Sequence, residues 1–338
     1  MGKIRFGMIG AGGISGAHLP CIVAHDDAEI VCIADTNEDL AKQQAEKYGA
    51  TRTCAGYDDL MGMDDVDAVI VGIPTQFHAD ATIKAAQAGK HVLCEKPMAR
   101  TLDECRAMIA AHEKAGTVLA MAFVRRFDQH WGQVRKMVQE GKAGRPCMWR
   151  RSQASPSPAT PDTSRKWYSD STLSDGPLVE SGAHDIDFLR YTFGEVKTVT
   201  GHVEHLSNLG DVLDNTIVIL QFENGDSALV HWSWSLPSGS RAGFNGMDVI
   251  GPEGCIHDPR KVDGTWTIDI SKGDDVVESI PFENEHDSTT WFGGQLADFI
   301  TAIQTGSAPR GTGEDGLKTQ EVYVAAVESM KTGKRIEL

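Results

Sequence analysis

The segment Ile4-Arg5-Phe6-Gly7-Met8-Ile9-Gly10-Ala11-Gly12-Gly13-Ile14-Ser15-Gly16 joins a short apolar run to a glycine-rich turn, and helical spacing follows from Ile14 to Ala24. A strand, a glycine turn and a helix in that order form the first step of a crossover unit. Gly10 permits the tight turn. Gly12 lets the backbone approach an anion seated at the helix N-terminus, where free N–H groups and the helix dipole favour negative charge. Ser15 stands where a third glycine is usual, with Gly16 beside it. A small residue there still allows close helix–sheet packing.

The pattern repeats outward. Apolar strands are expected at Ile30–Ala34, Asp67–Ile73, His91–Cys94 and Thr117–Phe123. Helices are expected between them at Asp39–Tyr48, Ala79–Ala88 and Leu102–Ala115, closed by Gly49, Gly89 and Gly116. Such alternation predicts an α/β domain, a doubly wound parallel sheet over residues 1–124. Asp35 ends the second strand 25 residues after Gly10, where a carboxylate accepts hydrogen bonds from an adenosine ribose. The competing reading is a structural glycine turn and a helix-capping aspartate, and the strand–loop–helix context favours the dinucleotide. Asp35, followed by Thr36 and Asn37 with no cation, predicts NAD over NADP.

After Val124 the pattern changes. Helix Gln129–Glu140 and strand Pro146–Gln153 lead into a loop holding Pro156, Pro158 and Pro161. A helix is predicted over Pro177–Tyr191, then repeated strand-like alternation from Val196 to Val277, with turns at Asn224-Gly225 and Pro252-Glu253-Gly254. Two helices follow, Trp291–Gln304 and Gly316–Met330. Residues 125–338 therefore read as an α+β domain with a large open, mostly antiparallel sheet. The last helix is a candidate to pack back on the first domain. No later segment is long enough to cover a whole sheet face, which predicts a homo-oligomer, dimer or tetramer, joined through that sheet.

The chain has 338 residues, 48 acidic against 32 Lys and Arg, for a net charge of −16. That balance, without a dense basic cluster, argues against nucleic acid or an anionic membrane surface as partner. No apolar run approaches the roughly 20 residues of a membrane span. The seven cysteines are scattered without a C-x-x-C pair, and the first residues carry no apolar leader. Reduced thiols and a cytoplasmic location are expected. His202 and His205, three apart on a strand, face opposite sides and make no metal site.

Three motifs remain: Gly72-Ile73-Pro74-Thr75-Gln76-Phe77-His78, then Gly89-Lys90-His91-Val92-Leu93-Cys94-Glu95-Lys96-Pro97, then Glu180-Ser181-Gly182-Ala183-His184-Asp185-Ile186-Asp187. Together they resemble the glucose–fructose oxidoreductase, inositol dehydrogenase and rhizopine catabolism protein family, Gfo/Idh/MocA, over essentially the whole chain. The resemblance implies an NAD-dependent oxidoreductase moving a hydride between nicotinamide and a carbinol carbon of a sugar, polyol or inositol-like carbohydrate. It implies cofactor contacts from Gly10, Gly12, Gly13, Ile14, Asp35, Pro74, Thr75, His78, Glu95, Lys96 and Trp167. It implies substrate contacts from Lys96, Arg125, Arg126, Glu180 and His184. This chain departs from the family pattern at Gln76, at Trp167-Tyr168 and at Ser174-Asp175-Gly176.

The chemistry fits those residues. Oxidising a secondary alcohol needs a base at the hydroxyl and a donor or cation at the developing alkoxide. Lys96 would lie just past a parallel strand's C-terminal end, where open α/β sheets bind ligands. Glu180 and His184, four apart, would share one helix face. Two further readings stay open: a glycosidase working through transient oxidation and elimination, and a non-enzymatic NAD- and sugar-binding sensor. Trp232 and Trp234, on one face of a strand, are read as sheet packing or an interface before sugar stacking.

Overall fold

A computed structural model describes residues 2–157, 176–207, 212–237, 244–283 and 288–338. The chain forms two compact units, Met1–Phe127 with His286–Gln320, and Asp128–Glu285 with Glu321–Leu338.

The first unit carries β1 (Ile4–Ile9), α1 (Ser15–Ala24), β2 (Ala28–Ala34), α2 (Glu38–Tyr48), β3 (Arg52–Cys54), α3 (Tyr57–Met61), β4 (Ala68–Val71), α4 (His78–Gln87), β5 (His91–Cys94), α5 (Leu102–Ala115) and β6 (Leu119–Met121). The strands pair in parallel in the order β3-β2-β1-β4-β5-β6. The central strands feed two cores, one on each face of the sheet. Phe6, Met8, Ile70 and Leu93 pack with Leu19 and Ile22 of α1. Ile9, Val69, Val71 and Val92 pack with Ala81 and Ala85 of α4 and with Cys105 and Met108 of α5. Strands buried on both faces read as continuous apolar runs, hence their legibility. Local signals set the helix ends. Thr101 and Glu104 form a reciprocal capping box on α5, and Gly116 closes it at φ 68°. Asn37 caps α2 by accepting from Leu40 N–H.

The second unit carries α6 (Gln129–Gln139), β7 (Met148–Pro156), α7 (Pro177–Glu180), α8 (Gly182–Phe193), β8 (Val196–Glu204), β9 (Asn215–Phe222), β10 (Ser227–Leu236), β11 (Phe244–Gly251), β12 (Gly254–Ile256), β13 (Arg260–Val262), β14 (Thr265–Lys272) and β15 (Asp275–Phe282). Helix α9 (Ser288–Thr305) belongs to the first unit, where Phe299 meets Phe6. Helix α10 (Gly313–Thr332) and β16 (Ile336–Glu337) complete the chain. The sheet runs β13-β14-β12-β11-β7-β10-β9-β8-β16, with β15 on β14. It is antiparallel except where β10 pairs β7 in parallel. One face is the core: Trp149, Val218, Leu220, Val230, Trp232 and Val249 lie against Trp131 of α6, Phe188 of α8 and Ala326 of α10. The other face presents Arg150, Ile217, Ile219, Leu229, His231 and Asp248, half-buried or exposed.

The predicted helix over Pro177–Tyr191 is interrupted at Ser181, between α7 and α8. Gly182 explains the close approach there. A Cβ on it would stand 3.1 Å from the Trp232 indole, so a larger residue would have to push the ring away by a few tenths of an ångström. Strand β3 and helix α3 add to the predicted elements of the first unit. No described helix is long and apolar enough to cross a membrane.

Candidate functional site

The site of the first unit lies along the C-terminal edge of its parallel sheet. Gly10 follows β1, Asp35 follows β2, Pro74 lies just beyond β4 and Lys96 just beyond β5. The strand order reverses between β1 and β4, and open α/β sheets bind ligands at such a switch point. There the two loops touch. Gly10 has φ 98°, and a Cβ on it would collide with the Gly72 carbonyl. Gly12 and Gly13 are exposed, with open space where a Cβ would stand. Helix α1 has no acidic residue in its first turn. This cradle fits a dinucleotide pyrophosphate.

Asp35 is half-buried and already oriented. Its Oδ2 accepts from Ala11 N–H at 2.7 Å and its Oδ1 from Asn37 N–H at 2.7 Å. The carboxylate is thus held against the glycine loop, as recognition of ribose hydroxyls requires. Gly10, Gly12, Gly13, Ile14, Asp35, Pro74, Thr75, Glu95 and Lys96 occupy the ends of four neighbouring strands in one sheet.

Lys96 is half-buried between two buried residues, Glu95 and Pro97. Glu95 Oε1 accepts from His18 Nε2 at 2.8 Å, and its Oε2 accepts from Lys96 N–H at 3.2 Å. Burial alone would push the Glu95 carboxyl up. The His18 hydrogen bond and charge, with Lys96 nearby, bring it below the usual carboxylate range. The His78 ring is buried, and both its nitrogens meet backbone carbonyls: Nδ1 to Pro97 O at 2.9 Å and Nε2 to Ile73 O at 2.7 Å. Burial lowers the ring's pKa, while the carbonyls oppose that shift. The polar atoms of His78 are therefore turned to protein backbone.

Arg126 is buried and bound to Asp315, Nη2 to Oδ1 at 2.9 Å, and also donates to the Arg310 carbonyl. That pairing gives Arg126 a structural role within the first unit. Arg125 is half-buried, its guanidinium 5.9 Å from the Trp291 ring centre.

In the second unit, Glu180 ends α7 and His184 lies in the first turn of α8, each half-buried. The break at Ser181 separates them, so the geometry of one continuous helix does not relate the two side chains. Asp185, next to His184, is buried. Its Oδ2 accepts from Trp232 Nε1 at 2.7 Å and lies 3.6 Å from Arg151 Nε. These contacts fasten α8 to β7 and β10, and they use Trp232 as core. Trp167 lies outside the described residues. Among those described, no cluster of His, Cys, Asp and Glu could hold a metal ion.

His18 is the residue that the sequence reading passed over. The only local signal was a histidine among apolar neighbours in a helix, a polar group needing a partner. That partner, Glu95, is 77 residues away.

Known proteins place this arrangement. The family model GFO_IDH_MocA, described as an oxidoreductase family with an NAD-binding Rossmann fold, matches residues 4–123. The GFO/IDH/MocA C-terminal domain matches residues 131–257. The chain is 30% identical over 345 residues to myo-inositol 2-dehydrogenase of Thermotoga maritima, covering 99% of this chain and 98% of that one. It is 30% identical over 350 residues to inositol 2-dehydrogenase of Rhizobium meliloti, covering 99% of each. The crystal structure of aldose-aldose oxidoreductase from Caulobacter crescentus, complexed with glycerol, superposes with a TM-score of 0.84 at 28% identity, covering 99% of this chain and 100% of that one. The chain belongs to the GFO/IDH/MocA family of oxidoreductases, and its first unit is that family's NAD-binding Rossmann domain.

Proposed function

We propose that the protein is an NAD-dependent dehydrogenase of a sugar, polyol or inositol-like carbohydrate, with Lys96 and His184 handling the proton of the reacting hydroxyl. The observation that carries this reading is Lys96 just past the C-terminal end of β5, on the same sheet edge as the glycine loop after β1, in a chain that aligns end to end with inositol dehydrogenases. When bound, the nicotinamide supplies the hydride acceptor or donor. The chain's own residues do the rest. The glycine loop seats the pyrophosphate, Asp35 selects the ribose without a 2′-phosphate, and the Lys96 ammonium stabilises a developing alkoxide. His184 takes the hydroxyl proton, with Glu180 assisting, and Arg125 contributes to carbohydrate binding. The exposed face of the second unit's sheet is proposed as the contact of a homo-oligomer.

The test is a panel of inositols, aldoses and polyols offered with NAD, followed by the absorbance of reduced nicotinamide. Steady NADH formation with one cyclitol or sugar supports the proposal. Glycoside cleavage without net NADH, or tight sugar binding with no turnover, would replace it with the eliminating glycosidase or the sensor.

A further inference from the structure

Lys96 sits on a short connection between β5 and α5, outside regular structure. A long side chain on such a segment would wander, and a misplacement of about 1 Å in a catalytic group can cost on the order of 100-fold in rate. Here the backbone on each side of Lys96 is gripped by a buried side chain from a different element. On one side, His18 of α1 donates Nε2–H to Glu95, and Glu95 in turn accepts the Lys96 N–H. Phe292 packs against the His18 ring with the planes perpendicular, centroids 5.0 Å apart. On the other side, His78 at the start of α4 spans the Pro97 and Ile73 carbonyls. Proline offers no N–H, so the loop has one donor fewer to anchor it, and the contact of the Pro97 carbonyl with His78 Nδ1 holds this side of the loop. Each grip also reaches one wall of the dinucleotide crevice: α1 leaves the glycine loop, and Ile73 belongs to the loop after β4.

We propose that His18 and His78 are positioning residues that hold the Lys96 backbone from its two sides, His18 through Glu95 and His78 through Pro97, and so tie the lysine to the loops that seat the dinucleotide. The inference rests on the reading of Lys96 as the group that acts on the hydroxyl. A role in folding alone would lower thermal stability and leave turnover of the folded protein intact. Positioning lowers kcat while substrate KM and dinucleotide Kd stay close to wild type, because the loss falls on the transition state.

Five variants of the full chain decide it: His18→Leu, His18→Gln, His78→Leu, Glu95→Gln and Lys96→Ala. Each is assayed well below its Tm with the best substrate of the carbohydrate panel, and NADH binding is followed by tryptophan quenching. Amide hydrogen exchange across residues 94–100 supplies a readout without turnover. His18→Leu and His78→Leu should each lose roughly 10-fold or more in kcat, with KM and Kd changed less than about threefold. Amide protection should fall at Lys96 and its neighbours but not in β1 or β4. His18→Gln, which can still donate to Glu95, should recover most of the rate. Glu95→Gln keeps an acceptor for His18 but can turn an amide donor toward the Lys96 N–H, so it serves if His18→Leu does not fold. It too should lose kcat. Wild-type kcat and unchanged protection in the folded variants, with Lys96→Ala inactive, would overturn the positioning role alone. Wild-type turnover in Lys96→Ala would overturn the reading of the lysine and the positioning role with it.

Discussion

Lys96 and His184 carry the proton chemistry of the account, and their removal has a defined signature. General acid–base groups typically contribute about 100- to 10,000-fold. Lys96→Ala and His184→Ala should each cost at least about 100-fold in turnover, with dinucleotide affinity little changed, measured by kinetics and NADH titration side by side. Glu180→Gln should cost less, since it keeps a hydrogen-bonding group. The double Lys96 and His184 variant should fall short of the product of the singles, because both serve one proton transfer. Asp35 is the residue proposed to set cofactor choice. Its two oxygens are fixed by Ala11 and Asn37 N–H groups, so it cannot easily swing away from a 2′-phosphate. Asp35→Ser should narrow the preference for NAD over NADP, read as the ratio of kcat/KM values. At this scale the places of Gly10, Asp35 and Lys96 just past strand ends were legible because each belongs to a local motif. The partners of His18 and His78 were not, because hydrogen bonds to Glu95 and Pro97 join residues 77 and 19 apart.

Among the elements, the loop after β1 and the seat of α8 are the most exacting. Gly10→Ala would force a side chain into the left-handed region and against the Gly72 carbonyl, so dinucleotide binding should be lost and Tm should drop. Trp232→Phe removes the indole donor to buried Asp185 and should destabilise the fold by about 1–3 kcal/mol, measured by denaturant unfolding. The parallel strands were readable as continuous apolar runs, and their helices by caps and closing glycines. Strand β3 was missed because Arg52-Thr53-Cys54 has no apolar run and its place is set by pairing with β2. The break at Ser181 was missed for a similar reason: the helical pattern of 177–191 is continuous, and contact between Gly182 and Trp232, 50 residues on, accompanies the interruption. Two-residue β16 carries no periodicity at all.

At the scale of the whole molecule, acid stability and assembly follow. Burial works against ionisation of Asp315 and Glu95, yet Arg126 in one case and His18 in the other hold their carboxyls below the ordinary range. A depressed folded pKa contributes stability that is fully present above the unfolded value, about 4, and is lost as pH falls through the folded value. Unfolding should therefore steepen below about pH 4, and Asp315→Asn should flatten that acid limb while lowering stability at neutral pH. The outward face of the second sheet sets Ile219, 40% exposed, beside Leu229. If copies meet there, Ile219→Asp should convert a dimer or tetramer to monomer in light scattering, whereas a wild-type monomer at micromolar concentration would refute assembly through this face.

The central claim is hydride transfer from a carbohydrate carbinol to NAD, with Lys96 and His184 acting on its proton. A single-turnover measurement tests it most directly: wild-type, Lys96→Ala and His184→Ala proteins, each saturated with NAD, are mixed with the best cyclitol or sugar of the panel, and reduced nicotinamide is followed in time. The account predicts rapid formation of NADH in the wild type and slowing of at least about 100-fold in both variants at unchanged NAD affinity. NADH formation at the wild-type rate in either variant would contradict it.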